Sequence, residues 1–454
     1  MSRPVPQRPE EEAQALLHAH RRGVAQARTR VRAVLPDAED LLPHQAELVV
    51  AREYGFASWS GLRHYLGRVA VAGGEPHHTF EPDPDYYADR AEGLLASAGD
   101  DTAGAVAAFA RWSAPLTSAG ARSVVARDHG FPSWTELCEH VATVDDEPFA
   151  LAFRALRAHD LDALVTLLER FPWLVAARGT NGNDLLGLAA ASADERTVTA
   201  LLERGAEVSR GNVHGWTPLH AAGYSNLPGL ARMLLAAGAP AEVAARGDGG
   251  TPLVVALFWG HREAAEVLAA HEITPRNLRV AAGLDDAALL EELWDTPSAG
   301  AHRGFYRPHG GFPTWQPSDS PAEARDEALS WAARSGSLRT IASLVGHGAD
   351  VNANVYQGTA LCWAATKGRT AAVRLLLELG AEPDRPGTFG GPGHGVGTTA
   401  LHHAAENGHL DVIEALLEAG ADPTVADALY NATPAGWAEH FGHRQAVDLL
   451  RNGG

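Results

Sequence analysis

Thr399-Ala-Leu-His-His-Ala-Ala-Glu-Asn-Gly-His-Leu-Asp-Val-Ile-Glu-Ala-Leu-Leu-Glu-Ala-Gly-Ala-Asp422 reads as one complete structural unit. Threonine is a good helix N-cap, because its hydroxyl accepts a bond from an N–H with no partner in the first turn. Leu401 and the small pair Ala404-Ala405 let two helices approach closely. Gly408 ends the first helix, since glycine enters the left-handed region without a Cβ penalty. Leu410 to Leu417 is apolar at helical spacing and makes a second helix. Gly420-Ala421-Asp422 closes that helix and turns the chain towards the next unit.

The unit recurs. Thr217-Pro-Leu-His220, Thr251-Pro-Leu-Val254, Thr359-Ala-Leu-Cys362 and Thr433-Pro-Ala-Gly436 occupy the same place. Residue 217 to 251 and residue 399 to 433 are each 34 apart, and 359 to 399 is 40. Pro218, Pro252 and Pro434 stand at the first helical position, where a missing N–H costs nothing. A Thr-Pro-Leu-His start repeated about every 33–34 residues resembles the ankyrin repeat. The resemblance implies an all-α fold, an ankyrin-repeat solenoid of about nine helix-pair repeats. Cap positions fall near Ala150, Asp184, Thr217, Thr251, Arg276, Glu327, Thr359, Thr399 and Thr433, and the units near 150, 276 and 327 are degenerate. One such pair cannot bury its own apolar face; stacked neighbours can.

Two Gly/Pro-rich inserts with aromatics break the period. One spans 295–326, with Asp295-Thr-Pro-Ser-Ala-Gly300 followed by Gly304-Phe-Tyr-Arg-Pro-His-Gly-Gly-Phe-Pro-Thr-Trp315. The other spans 387–397, Gly387-Thr-Phe-Gly-Gly-Pro-Gly-His-Gly-Val-Gly397. Solenoid insertions map to loops on one face, often the binding face.

The N-terminal third carries a different duplication. Val49-Val-Ala-Arg-Glu-Tyr-Gly-Phe-Ala-Ser-Trp-Ser-Gly-Leu62 reappears, 75 residues on, as Val124-Val-Ala-Arg-Asp-His-Gly-Phe-Pro-Ser-Trp-Thr-Glu-Leu137. Each reads as a helix stopped by Gly55 or Gly130 and a new helix capped by Ser58 or Ser133. Ser133 with Glu136 makes a capping box. With Glu10 to Val34 upstream, each copy is expected to be a three-helix unit with Trp59 or Trp134 in its core. This Ala-Arg-x-x-Gly-Phe-x-Ser-Trp pattern resembles a helical module found ahead of ankyrin repeats in bacterial proteins, and the likeness extends to the Arg303–His309 stretch. It implies architecture only. The expected domains are 1–67 for copy 1, a linker at 68–85, 86–144 for copy 2 and a solenoid over 148–454. His77-His78, in the linker, reads as solvated.

With 454 residues and 45% hydrophobic content, the chain is too long for one core. No apolar run reaches 18 residues, so no membrane span is expected. The start, Met1-Ser-Arg-Pro-Val-Pro6, lacks the apolar stretch of a secretory signal. Two cysteines in distant parts of the chain, Cys138 and Cys362, suit a reducing cytoplasm. A net charge of −19 repels nucleic acid and anionic membrane surfaces, and a monomer is favoured.

No Gly-x-Ser-x-Gly elbow, phosphate loop or His-Glu-x-x-His motif is present, so a non-catalytic, cofactor-free chain is expected. For His220 and His402 the resemblance implies a structural bond between neighbouring loops. It also implies recognition at the two positions before each mid-repeat glycine. These are Tyr224 and Ser225, Phe258 and Trp259, Arg334 and Ser335, Thr366 and Lys367, Glu406 and Asn407, and His440 and Phe441, with Trp216 ahead of its Thr-Pro-Leu-His. Large aromatics on such a ridge suit an interface, because they bury much area with few rotamers. Trp331, Trp363 and Trp437 replace the inward leucine and read as core. The expected function is a protein-protein interaction scaffold holding a protein or peptide on the concave face. The alternative is a small-molecule or metal-binding protein, even an enzyme, whose pocket forms from Tyr306, Arg307, His309 and His394 on the two inserts. No metal-ligand spacing accompanies those histidines.

Overall fold

The structure, a computed structural model, describes residues 8–142, 147–245, 250–271, 275–297, 320–388 and 395–452. The chain divides into two compact units, Met1–Gly99 with Gly104–Val213, and Asp100–Ala103 with His214–Gly454.

The first unit opens with the helices Pro9–Arg21, Ala25–Val34, Pro43–Glu53 and Trp59–Ala72 around a core of Leu16, Val31, Val49, Val50 and Leu62. It continues with Pro84–Gly99, Ala103–Arg111, Ser118–Asp128 and Trp134–Val141 around Tyr87, Leu94, Phe109, Val124 and Leu137. Each copy therefore has four helices, where the pattern suggested three. In copy 1 the reason is Gly23, which adopts φ 78° and splits the Glu10–Val34 run. Ser58 accepts from Gly61 N–H at 3.1 Å, and Ser133 accepts from Glu136 N–H at 3.3 Å. Trp59 and Trp134 lie half-buried against their cores.

His77 and His78 are not solvated. His77 N–H donates to the Asp128 carbonyl at 2.8 Å, and His78 N–H to the Arg178 carbonyl at 2.7 Å. His78 is 4% exposed, stacked on Phe149 and Trp173 with centroids at 5.4 and 5.1 Å. A polar-looking Gly/Pro segment is held here because its backbone donors find carbonyls on two other elements. Two helix pairs complete the unit: Pro148–Arg157 with Leu161–Arg170, and Leu185–Ala191 with Glu195–Glu203.

Among the described residues, the second unit holds seven further helix pairs. The first helices are Pro218–Tyr224, Pro252–Phe258, Leu278–Gly283, Pro321–Ser335, Ala360–Thr366, Ala400–Glu406 and Pro434–His440. The second helices are Pro228–Ala236, Arg262–Ala269, Ala287–Glu292, Leu338–Gly346, Thr370–Glu378, Leu410–Glu418 and Arg444–Asn452. First helices pack on first helices and second on second, giving two layers whose shared core runs from Leu278 to Leu450. The fold is all-α, a stack of helix pairs as the spacing predicted. A two-stranded antiparallel ribbon, Gly387–Thr388 with Val396–Thr398, interrupts it. The first helix of the 320–346 unit is longer than expected, starting at Pro321 after Ser320.

Candidate functional site

Two hydrogen-bond ladders set the ends of the first helices. In the first, the N–H of Thr217 donates to His220 Nδ1 at 3.1 Å. Nδ1 is thus an acceptor, so the proton lies on Nε2, which donates to the Gly250 carbonyl of the next loop at 3.0 Å. Thr399 and His402 repeat this arrangement, with Nε2 donating to the Ala432 carbonyl at 3.1 Å. Burial holds the His402 imidazole down at a pKa of about 4, so it stays neutral.

In the second ladder, five residues capping second helices donate to a carbonyl in the last turn of the first helix of the previous pair. His261 meets Gly223 at 3.1 Å, Ser337 meets Gly283 at 3.0 Å and Arg369 meets Arg334 at 3.1 Å. His409 meets Thr366 at 3.1 Å and His443 meets Glu406 at 2.9 Å. One rung is substituted. The cap of the helix Ala287–Glu292 is Asp286, and a carboxylate cannot donate. The Phe258 carbonyl is served instead by Arg334 Nη1, from one repeat further on.

Arg334 itself lies fully inside. Its guanidinium lies over the rings of Phe258, Tyr356 and Trp363, at 4.7, 4.6 and 3.6 Å, and Nη2 donates to Ser330 Oγ at 3.0 Å. Trp331 Nε1 donates to the Tyr356 hydroxyl, which donates to Glu327, both at 3.2 Å. Glu327 also accepts from Arg279 Nε, and both side chains of that pair are buried. Burial is the largest influence on the Glu327 carboxyl and pushes it up, against Arg279 and Tyr356.

The ridge expected from the sequence is therefore uneven. Phe258 is 3% exposed and Arg334 fully buried, so neither is offered to a partner; the Phe258 ring packs edge-on to Trp331 and Tyr356 and under the Arg334 guanidinium. Ser335 is buried too. Trp216, Trp259, Thr366, Lys367 and Glu406 are half-buried, and Tyr224, Ser225, Asn407, His440 and Phe441 are exposed. Trp216, Tyr224 and Trp259 form an edge-to-face string, with centroids 5.9 and 5.6 Å apart. Phe441 stands edge-on to His440 at 5.0 Å. Thr366 Oγ1 turns back onto the Cys362 carbonyl at 2.8 Å, and Asn407 Nδ2 onto that of His403 at 2.9 Å. Trp331, Trp363 and Trp437 are core, as their positions suggested. Tyr306, Arg307, His309 and His394 lie outside the described residues. Among the described residues, no group of three or more His, Cys, Asp or Glu is placed to hold a metal ion.

A family model described as ankyrin repeats (3 copies) matches residues 186–277, 315–386 and 390–454, half of the chain. The chain belongs to the ankyrin-repeat family. A second model, ankyrin repeats (many copies), matches 361–417. No curated protein matches the chain. Ankyrin repeats are generally protein-protein interaction modules. Within this ankyrin array, reading the repeat motifs alone missed Arg279, Tyr356, His261 and Arg369. The one signal in reach was Asp286, an acceptor at the cap where His261, Ser337, Arg369, His409 and His443 carry a donor. No helix among the described residues is long and apolar enough to cross a membrane.

Proposed function

We propose that the chain is a non-catalytic protein-interaction scaffold. It holds a protein or peptide on the concave, first-helix side of the second unit. The observation that carries this reading is the string Trp216–Tyr224–Trp259, in which Tyr224 is 47% exposed yet pinned edge-on between two tryptophans. A rigid, half-solvated aromatic loses little entropy when a partner covers it. Phe441, Asn407 and His440 extend the same helix-end positions along the array. No observation among the described residues favours the small-molecule or metal-binding alternative.

The test is a double substitution, Tyr224→Ala with Trp259→Ala, leaving buried Phe258 in place. Immobilised wild type should capture a discrete partner, and the double variant should retain less than about a tenth of it, a loss typical of two interface anchors. Tyr430→Ala, at a 60% exposed tyrosine off the ridge, should change nothing. Equal capture by wild type and double variant rejects the reading, provided both give the same thermal melt.

A further inference from the structure

Lys367 is the sole lysine of a chain with net charge −19. It is half-buried, at the helix-end position where the other repeats carry Trp259, Asn407 or Phe441. Its ammonium reaches across the array to His261, with Nζ 3.5 Å from Nε2. His261 donates through Nδ1 to the Gly223 carbonyl, so Nε2 is left as a neutral acceptor. Arg369 closes the other side, giving Nε to the Arg334 carbonyl and Nη2 to the Gly260 carbonyl at 2.8 Å.

The charges acting on the Lys367 amine have one sign. Burial first, then Arg334 and Arg369, push the Lys367 amine down to about 8, and no carboxylate opposes them among the described residues. Glu263 acts on Arg369 and on His261. Burial, then Lys367, in turn lowers His261 to about 4. A half-desolvated ammonium with an imidazole as its partner and two guanidinium groups nearby is uphill electrostatically. An arrangement of this kind is completed by an anion. Trp259 stands two residues before His261, at the end of the neighbouring helix, and is edge-to-face with Tyr224.

We propose that Lys367, with Arg369 and His261 around it, receives a carboxylate from an acidic segment of a protein partner, while an apolar side chain of that segment covers Trp259 and Tyr224. This rests on the protein-binding reading above. One or two carboxylates within an otherwise apolar segment fit better than a polyanion, because a chain of net charge −19 repels a long run of negative charge while leaving a short-range pair intact.

The probe is a random peptide library displayed on phage and selected on the full chain, with affinities of the enriched peptides measured by calorimetry. Enriched sequences should carry Glu or Asp within a few residues of Trp, Phe or Leu. Lys367→Met should weaken them at least about tenfold, the usual effect of removing one side of a desolvated charge pair. The same substitution should raise the melting temperature by roughly 2–4 °C, because it removes a poorly compensated cation from a unit of this size. Wild-type affinity should fall about five- to tenfold between pH 7.5 and 9, as the free amine loses its proton. Peptides without acids, or acidic peptides that bind Lys367→Met equally well, overturn this proposal alone. Peptides indifferent to Tyr224→Ala with Trp259→Ala overturn the interaction ridge instead. Failure to recover any peptide counts against both.

Discussion

Glu327→Ala should lower the stability of the second unit by about 3–5 kcal/mol, the range for removing one partner of a buried ion pair. Glu327 accepts from Arg279 and from the Tyr356 hydroxyl, and none of the three side chains is open to solvent. Without the carboxylate, a guanidinium remains in a dry interior and a phenol loses its acceptor. Tyr356 is the sensitive neighbour: it holds φ 51°, a left-handed conformation costly for a tyrosine, and its ring is one wall around Arg334. The loss should show as a lower urea midpoint, with faster amide exchange in Leu278–Gly283 and Pro321–Ser335. Glu327→Gln, which keeps an acceptor, should lose roughly half as much. The paired change Arg279→Met with Glu327→Leu should recover most of the stability, since burial of the pair costs more than its attraction returns. A single Glu327→Ala variant within about 1 kcal/mol of wild type would show that the pair is solvated in solution.

The repeats were legible because their signals are local. A Thr cap, a Pro at the first helical position and a glycine stop each act within a few residues, so Thr217, Thr251, Thr359, Thr399 and Thr433 set their helices unaided. The burial of Phe258 and Arg334 was not legible. Asp286 lacks a donor, and the bond to the Phe258 carbonyl comes from Arg334, 76 residues along the chain from Phe258, whose guanidinium packs among Phe258, Tyr356 and Trp363. Assigning every pre-glycine pair to one solvated ridge treats all repeats as equivalent; a single acceptor-for-donor change at a cap breaks that equivalence. His77-His78 failed for a related reason. Gly73-Gly74, Pro76 and Pro82 mark a loop, and loops ordinarily face solvent, whereas its donors are tied to carbonyls at Asp128 and Arg178. Composition reports chain stiffness here and is silent about what packs on top.

The imidazoles of His77 and His129 should make the first unit acid-labile. His129 is fully buried, with Nε2 3.1 Å from the Thr180 hydroxyl, and burial drives its pKa well down, aided by His77 and Arg68. Burial, then Arg178, lowers His77 to about 3. Arg68 fixes the centre, donating to the carbonyls of His129 and His77, each at 2.9 Å, and to Glu147 at 3.1 Å. A histidine whose folded pKa lies below about 6.5 binds fewer protons folded than unfolded, so stability is full at pH 7 and falls as pH drops through that window. His77 alone accounts for about 1–2 kcal/mol between pH 7 and pH 5, and His129 adds to it in the same direction. Below the ordinary carboxylate range Glu147 joins them. Although burial opposes it, His140 and Arg68 hold it down to about 2, so its stabilisation is lost as pH falls from about 4.5 towards 2. Asp128 and Asp184, raised by burial, pull the other way with smaller shifts. The net expectation is a melting transition of the first unit that drops by roughly 5 °C or more from pH 7 to pH 5. Amide exchange should rise first around 75–80 and 125–131. His129→Gln, which keeps a hydrogen-bonding side chain without a titrating ring, should flatten that pH dependence even where it costs stability at pH 7. A wild-type melt unchanged over this interval would mean that these imidazoles are hydrated and titrate freely.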